Sequence, residues 1–129
     1  MQETAKIIAA EAVSQPAVFC DVVTDTRKIK PGVLFVALKG ERFNGEDFAA
    51  EAAAKGAAGI LVSKSCPAEK LAGLSVPVLK AEDTLLAYQQ LAHAWRMKFE
   101  LPVIAITGSN GKTTTKDLTA AVLSSKWKV

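Results

Sequence analysis

The sequence predicts an α/β fold: a mixed α/β domain over residues 1–100, then a strand, a glycine-bearing loop and a helix over residues 101–129 that open a second domain. Three observations predict it. The runs Val33-Leu34-Phe35-Val36-Ala37-Leu38 and Gly59-Ile60-Leu61-Val62-Ser63 are continuously apolar in the way of strands buried on both faces. Ala-rich and 3.6-periodic segments lie between and after them, and 22 of the 129 residues are Ala. The charge is divided: residues 1–100 hold 12 Lys/Arg and 12 Asp/Glu, whereas residues 101–129 hold four Lys against Asp117, so the whole +3 excess sits in the last 29 residues.

The elements follow in order. Thr4 to Val13 reads as a short helix stopped by Ser14-Gln15-Pro16. Val18 to Val23 reads as a strand; Asp25-Thr26-Arg27-Lys28 and the Lys30-Pro31-Gly32 turn lead into the strand Val33 to Leu38, which Lys39-Gly40 ends. Glu46 to Lys55 is helical with Gly56 as its stop, and Gly59 to Ser63 is the next strand. Val76 to Leu79 is a short strand placed at a sheet edge, because Pro77 has no N–H for a ladder. From Glu82 to Phe99 the residues Leu85, Tyr88, Ala92, Trp95 and Phe99 recur every three or four positions, which predicts one buried helical face with His93 off it in solvent. Glu100-Leu101-Pro102 breaks that helix and marks the domain boundary. Pro102 to Ile106 is a strand without neighbours, so the final segment is expected to be marginal unless it packs on the first domain.

Several function classes are disfavoured. The longest stretch without Asp, Glu, Lys or Arg is Thr84 to Trp95, 12 residues, short of the roughly 20 a membrane helix needs. Glu3 and Glu11 bracket the only apolar patch near the start, which predicts no secretory signal and a cytoplasmic location. Cys20 and Cys66 stand 46 positions apart and His93 is the only histidine, so neither a zinc set nor a disulfide framework is expected. Nucleic acid is not an expected partner, since residues 1–100 carry no net positive charge to neutralise phosphates.

The strongest motif is Val103-Ile104-Ala105-Ile106-Thr107-Gly108-Ser109-Asn110-Gly111-Lys112-Thr113-Thr114-Thr115, followed by an amphipathic helix through Leu118, Ala121, Val122 and Ser125. Gly108 and Gly111 let the backbone turn its N–H groups toward phosphate oxygens, and the helix N-terminus adds a favourable field. Lys112 is placed to reach β and γ phosphates, and Thr113 to ligate Mg²⁺. The pattern departs from G-x-x-x-x-G-K-[ST], because Ile106 stands where the first glycine would be.

Thr-Gly-Ser-Asn-Gly-Lys-Thr-Thr resembles the ATP-binding loop of the Mur ligase superfamily, which also includes folylpolyglutamate synthases. The stretch Thr24 to Phe48, with Leu38-Lys39-Gly40-Glu41-Arg42-Phe43-Asn44-Gly45-Glu46-Asp47-Phe48 at its end, resembles the nucleotide-sugar domain of the branches that add the third residue and the terminal dipeptide to the muramoyl peptide. The dipeptide-adding branch is the more similar. The resemblance implies a P-loop ATPase domain beginning near residue 101, with ATP and Mg²⁺ as cofactors and UDP-N-acetylmuramoyl-peptide and D-Ala-D-Ala as substrates. It implies an acyl-phosphate intermediate. Gly108, Ser109, Asn110, Gly111, Lys112, Thr113 and Thr114 would hold ATP, with Lys112 and Thr113 catalytic and Thr113 on the metal. Thr24, Asp25, Thr26, Arg27, Gly40, Asn44 and Gly45 would contact the UDP-sugar.

Arg27 offers the planar donor fork that a diphosphate suits. Asp25 and Thr26 either close a turn through their own side chains or contact ligand, and the resemblance favours at least one ligand contact. Gly40 and Gly45 serve either loop geometry or binding. Phe43 and Phe48 are expected in the core rather than stacked on a base. Nothing after Thr113 supplies the acidic metal ligand such a ligase needs on another strand, so the chain is expected to be an N-terminal part of a longer enzyme, inactive alone; a monomer is favoured, and the sequence leaves the oligomeric state open. The alternatives are the third-residue ligase and a non-catalytic UDP-sugar or phosphate-binding module.

Overall fold

A computed structural model describes residues 11–12, 18–41 and 43–129. The chain divides into two compact units, Met1–Phe99 and Glu100–Val129. In the first, five strands among the described residues form one sheet: β1 (Glu11–Ala12), β2 (Asp21–Val23), β3 (Val33–Val36), β4 (Gly59–Ser63) and β5 (Val78–Ala81), in the order β1-β5-β4-β3-β2. The pairs β2–β3, β3–β4 and β4–β5 are parallel, with Val22 beside Leu34, Phe35 beside Ile60 and Leu61 beside Leu79, whereas β1 runs antiparallel to β5.

Period-two alternation splits the strand side chains between two cores. Val33, Phe35, Ile60, Val62 and Val78 point to one face, where α1 (Ala49–Ala54) presents Ala49 and Ala52 and α2 (Ala68–Leu71) presents Leu71. Leu34, Val36, Leu61, Leu79 and Ala81 point to the other, covered by Ala87, Tyr88 and Leu91 of α3 (Thr84–Arg96). The all-apolar runs of β3 and β4 thus follow from helices on both sides. Each fully buried Leu, Ile or Phe contributes about 1.5–3 kcal/mol over its exposed state.

Several expectations need correction. Of the helix expected at Thr4–Val13, residues 11–12 form β1, and the rest lies outside the described residues. The strand expected from Val18 narrows to Asp21–Val23, and the one at Val33–Leu38 ends at Val36. The helix expected from Glu46 begins as a 3-10 turn, Gly45–Phe48, and becomes α-helical at Ala49. The strand expected at an edge is internal: Pro77 lies just before β5 and only lends its carbonyl to the Ile60 N–H (2.9 Å), so its missing donor is not needed.

α3 is rotated by one residue from the expected stripe. Thr84 and Ala87 are buried and Tyr88, Leu91 and Ala94 half-buried, while Leu85, Ala92, Trp95 and Phe99 are exposed. Small side chains let the helix approach the sheet, and the Thr84 hydroxyl donates to Ala37 O at 3.1 Å. The large rings pack on each other instead, Trp95 edge-on to Phe99 at 5.6 Å. Asp83 caps the helix through the Leu85 and Leu86 N–H groups. His93 is exposed, as expected.

In the second unit α4 spans Lys112–Leu123. Residues 101–109 carry no strand, contrary to the one expected at Pro102–Ile106, and Val103 and Ile104 are exposed. Residues 100–129 contain no second strand to pair with, and an extended segment without a ladder partner gains nothing from β geometry.

Candidate functional site

The parallel strands direct their C-terminal ends to one edge of the sheet, where α/β proteins bind ligands. Thr24 follows β2 there, and the loop 37–44 follows β3. Thr24 is exposed. The Asp25 carboxylate accepts from the Arg27 backbone N–H (2.9 Å) and from Arg27 Nε (3.0 Å), while Arg27 Nη2 donates to Asp25 Oδ2 at 2.6 Å. The hydrogen bonds from the Arg27 side chain and backbone hold Asp25 down to about 2, and the same carboxylate raises Arg27. Asp25 thereby caps the 3-10 turn Thr26–Lys28, the local closure foreseen as one alternative. The Arg27 side chain stays 85% exposed. Thr26 turns toward α1, its carbonyl accepting from Lys55 Nζ at 3.3 Å.

The second loop is built by its backbone. Gly40 N–H donates to Phe43 O (2.9 Å), Lys39 bridges Asn44, and Gly45 N–H donates to Leu38 O (2.8 Å). Gly45 is buried, and a Cβ there would stand 2.6 Å from Leu38 O and 2.7 Å from Leu38 N. Asn44 caps the following 3-10 turn, its Oδ1 accepting from Glu46 N–H at 3.1 Å. Phe43 and Phe48 are 60% and 39% exposed, which corrects their expected place in the core. Phe43 lies over Gly40 instead, where a Cβ would approach its ring to 3.0 Å.

One residue at this edge went unnoticed in the sequence. Glu46 is buried, and its Oε1 accepts from the Ser63 N–H (3.1 Å) and hydroxyl (2.7 Å) at the end of β4. Asn44 Nδ2 donates to its Oε2 at 3.3 Å. Burial pushes Glu46 up, but donors from Ser63, Asn44 and Cys66 outweigh it and the net shift is downward. Burial and the Glu46 charge together push the Cys66 thiol up. A charged residue opening an Ala-rich helix gave no sign of burial; the Asn-Gly-Glu order, which lets Asn cap and Glu turn inward, was the available signal.

The phosphate-loop residues lie together in the second unit. Gly111, at φ +75°, sits just before α4 in a left-handed conformation that favours glycine. The first intrahelical bond runs from Thr115 N–H to Gly111 O (2.9 Å), so the N–H groups of Lys112, Thr113 and Thr114 have no intrahelical acceptor and open outward. Lys112 Nζ curls back over the loop to Gly108 O (2.6 Å) and Ser109 O (3.3 Å). Gly108, Ser109, Asn110, Thr113 and Thr114 are exposed. A positive head above a loop capped by free amides is suited to an anion of phosphate type.

Residues 21–96 match the family model described as Mur ligase family, catalytic domain. The chain belongs to the Mur ligase family. It is 50% identical over 103 residues to UDP-N-acetylmuramoyl-tripeptide–D-alanyl-D-alanine ligase of Escherichia coli K12, covering 80% of this chain and 22% of that protein. It is 46% identical over 96 residues to UDP-N-acetylmuramoyl-L-alanyl-D-glutamate–2,6-diaminopimelate ligase of Caulobacter vibrioides, covering 74% of this chain and 19% of that protein. Among solved structures, MurF of Acinetobacter baumannii superposes with a TM-score of 0.84 at 32% identity, over 97% of this chain and 27% of that one. The chain thus spans about a fifth to a quarter of the length of the relatives it matches. Among the described residues no helix is long and apolar enough to cross a membrane.

Proposed function

We propose that this chain is the N-terminal part of a cytoplasmic, ATP-dependent amide ligase of peptidoglycan precursor synthesis that adds D-Ala-D-Ala to UDP-N-acetylmuramoyl-tripeptide. Residues 1–100 form the UDP-substrate domain and residues 101–129 begin the ATP-binding domain. The reading rests on the open N-terminus of α4 behind Gly111, with Lys112 over the loop, in a chain half identical over 103 residues to a dipeptide-adding relative.

In the proposed reaction the substrate carboxylate takes the γ-phosphoryl group of ATP and ADP leaves. The amine nitrogen of D-Ala-D-Ala then attacks the acyl carbon, phosphate departs with the C–O bond, and loss of a proton leaves the amide. The loop amides and Lys112 bind and orient the phosphates, and Lys112 counters the charge that develops on the transferring group. Thr113 offers an exposed hydroxyl oxygen in the first turn of α4, a hard ligand of the kind Mg²⁺ takes beside waters and phosphate oxygens; when bound, the ion would further neutralise the phosphates. Arg27 and Thr24 beside β2, with Gly40, Asn44 and Gly45 beyond β3, are the proposed contacts to the UDP-sugar, with Asp25 and Thr26 shaping the turn.

A ligase carrying this segment is expected to release phosphate from ATP only when UDP-muramoyl-tripeptide and D-Ala-D-Ala are both present. Release with the dipeptide precursor and diaminopimelate instead would establish the third-residue reaction, which the Caulobacter relative keeps in view. Binding of UDP-muramoyl-tripeptide without turnover in the complete protein would leave only a binding module.

A further inference from the structure

Glu46 is placed oddly for a surface-type residue. It stands second in the 3-10 turn Gly45–Phe48 at the sheet edge, yet it is buried, and its carboxylate accepts from Asn44 on one side and from Ser63 on the other. Oε1 is fixed by the backbone and side chain of Ser63 at the end of β4, and the Ser63 hydroxyl is itself 2.8 Å from that of Ser65. Oε2 faces Asn44, whose Oδ1 accepts from the Glu46 backbone N–H, so Asn44 and Glu46 hold each other reciprocally. Asn44 is also the far end of the loop that leaves β3, bridged to Lys39 across it. The carboxylate therefore ties that loop to the neighbouring strand. The bond from Gly45 N–H to Leu38 O closes the loop at its base and does nothing to join it to β4.

We propose that Glu46 is a positioning residue for the UDP-substrate: its carboxylate bridges Asn44 to Ser63 and so holds the 38–45 loop in the shape that Gly40, Asn44 and Gly45 present to ligand. The proposal rests on the reading that this loop contacts the UDP-sugar. A carboxylate suits the task because both its oxygens accept, whereas Gln would keep an acceptor for Ser63 and turn an NH₂ donor against the NH₂ of Asn44. Charge-assisted bonds are also the stronger kind.

The test uses the complete ligase with Glu46→Gln, and with Ser63→Ala, which removes only the Ser63 hydroxyl donor, should the first variant fold poorly. Loss of one charge-assisted bond predicts a rise of about tenfold in KM for the UDP-substrate, with KM for ATP and kcat within about twofold of the parent. Hydrogen exchange at the Gly40 and Gly45 amides is expected to accelerate by a similar factor, while exchange in β3 and β4 is unchanged. A purely structural role would lower Tm and leave the UDP-substrate KM unmoved, which overturns the proposal. Faster loop exchange with an unchanged KM would overturn the reading that the loop binds substrate, and the proposal with it. Unchanged exchange and KM, in an enzyme where Asn44→Ala does raise KM, would overturn the proposal alone.

Discussion

Replacing Gly45 by Ala tests how tightly the loop after β3 is seated. The added Cβ would stand 2.6 Å from Leu38 O, 2.7 Å from Leu38 N and 2.9 Å from Ala37 C, all backbone atoms that cannot rotate away. Reaching an ordinary 3.4 Å contact with the nearest requires about 0.8 Å of movement (3.4 − 2.6). Such a shift stretches the 2.8 Å bond from Gly45 N–H to Leu38 O beyond useful range, a loss of about 1 kcal/mol. Forcing the methyl into a packed site adds about 1–3 kcal/mol, for a total of about 2–4 kcal/mol. With a urea slope of about 1.5 kcal/mol/M, the midpoint of unfolding followed by circular dichroism should fall by roughly 2 M. Gly73→Ala is the control. It has φ +76° and nothing within 4 Å of its Cβ, so it carries only left-handed backbone strain of about 1 kcal/mol. If Gly45→Ala moves the midpoint no further than Gly73→Ala, the close approach to Leu38 does not govern this loop.

Three further outcomes are expected. Asp25 is held at about 2, below its ordinary 3.8, by Arg27, so its contribution to stability is present above pH 3.8 and is lost as pH falls through about 2; a carboxyl NMR titration that finds Asp25 near 3.8 would contradict the pairing. Lys112→Ala in the complete ligase should lower kcat by about a hundredfold or more with Tm unchanged, because the exposed side chain bonds to carbonyls of an exposed loop; retained phosphate release would remove it from the phosphate site. Asp83→Ala removes acceptors for two N–H groups at the start of α3 and should destabilise by about 1–2 kcal/mol in urea titration, whereas no change would mean that water caps the helix as well.

The central sheet was readable because β3 and β4 sit between helices on both faces, and double burial writes itself as unbroken apolar runs. The orientation of α3 was not readable. The spacing of Leu85, Tyr88, Ala92, Trp95 and Phe99 defines an apolar stripe, whereas approach to the sheet selects small side chains, Thr84 and Ala87, and turns Trp95 outward. Pro77 misled for a similar reason: it was weighed as a strand residue, and one position decides whether its missing N–H matters. The two residues of β1 are too few to show any period. At the sheet edge, the turn-forming role of Asn44-Gly45 was legible. The burial of Glu46 depends on Ser63, 17 residues away, and no local pattern encodes that bond. The apolar run at 103–106 reads as a strand because composition is local, but a strand exists only with a partner.

The two rims of the sheet differ in how they meet a neighbouring molecule. β5 would offer a run of unpaired amides beside buried Val78, Leu79 and Ala81, and the antiparallel pairing of Glu11 with Lys80 and Ala12 with Leu79 covers that rim. The opposite rim is β2, three residues opened by Asp21, whose carboxylate takes the Val22 N–H. A strand that short, starting with a charge that occupies one of its own donors, is a poor template for a foreign strand. Among the described residues, the β5 rim is thus guarded by its pairing with β1, and the β2 rim by its shortness and its opening charge.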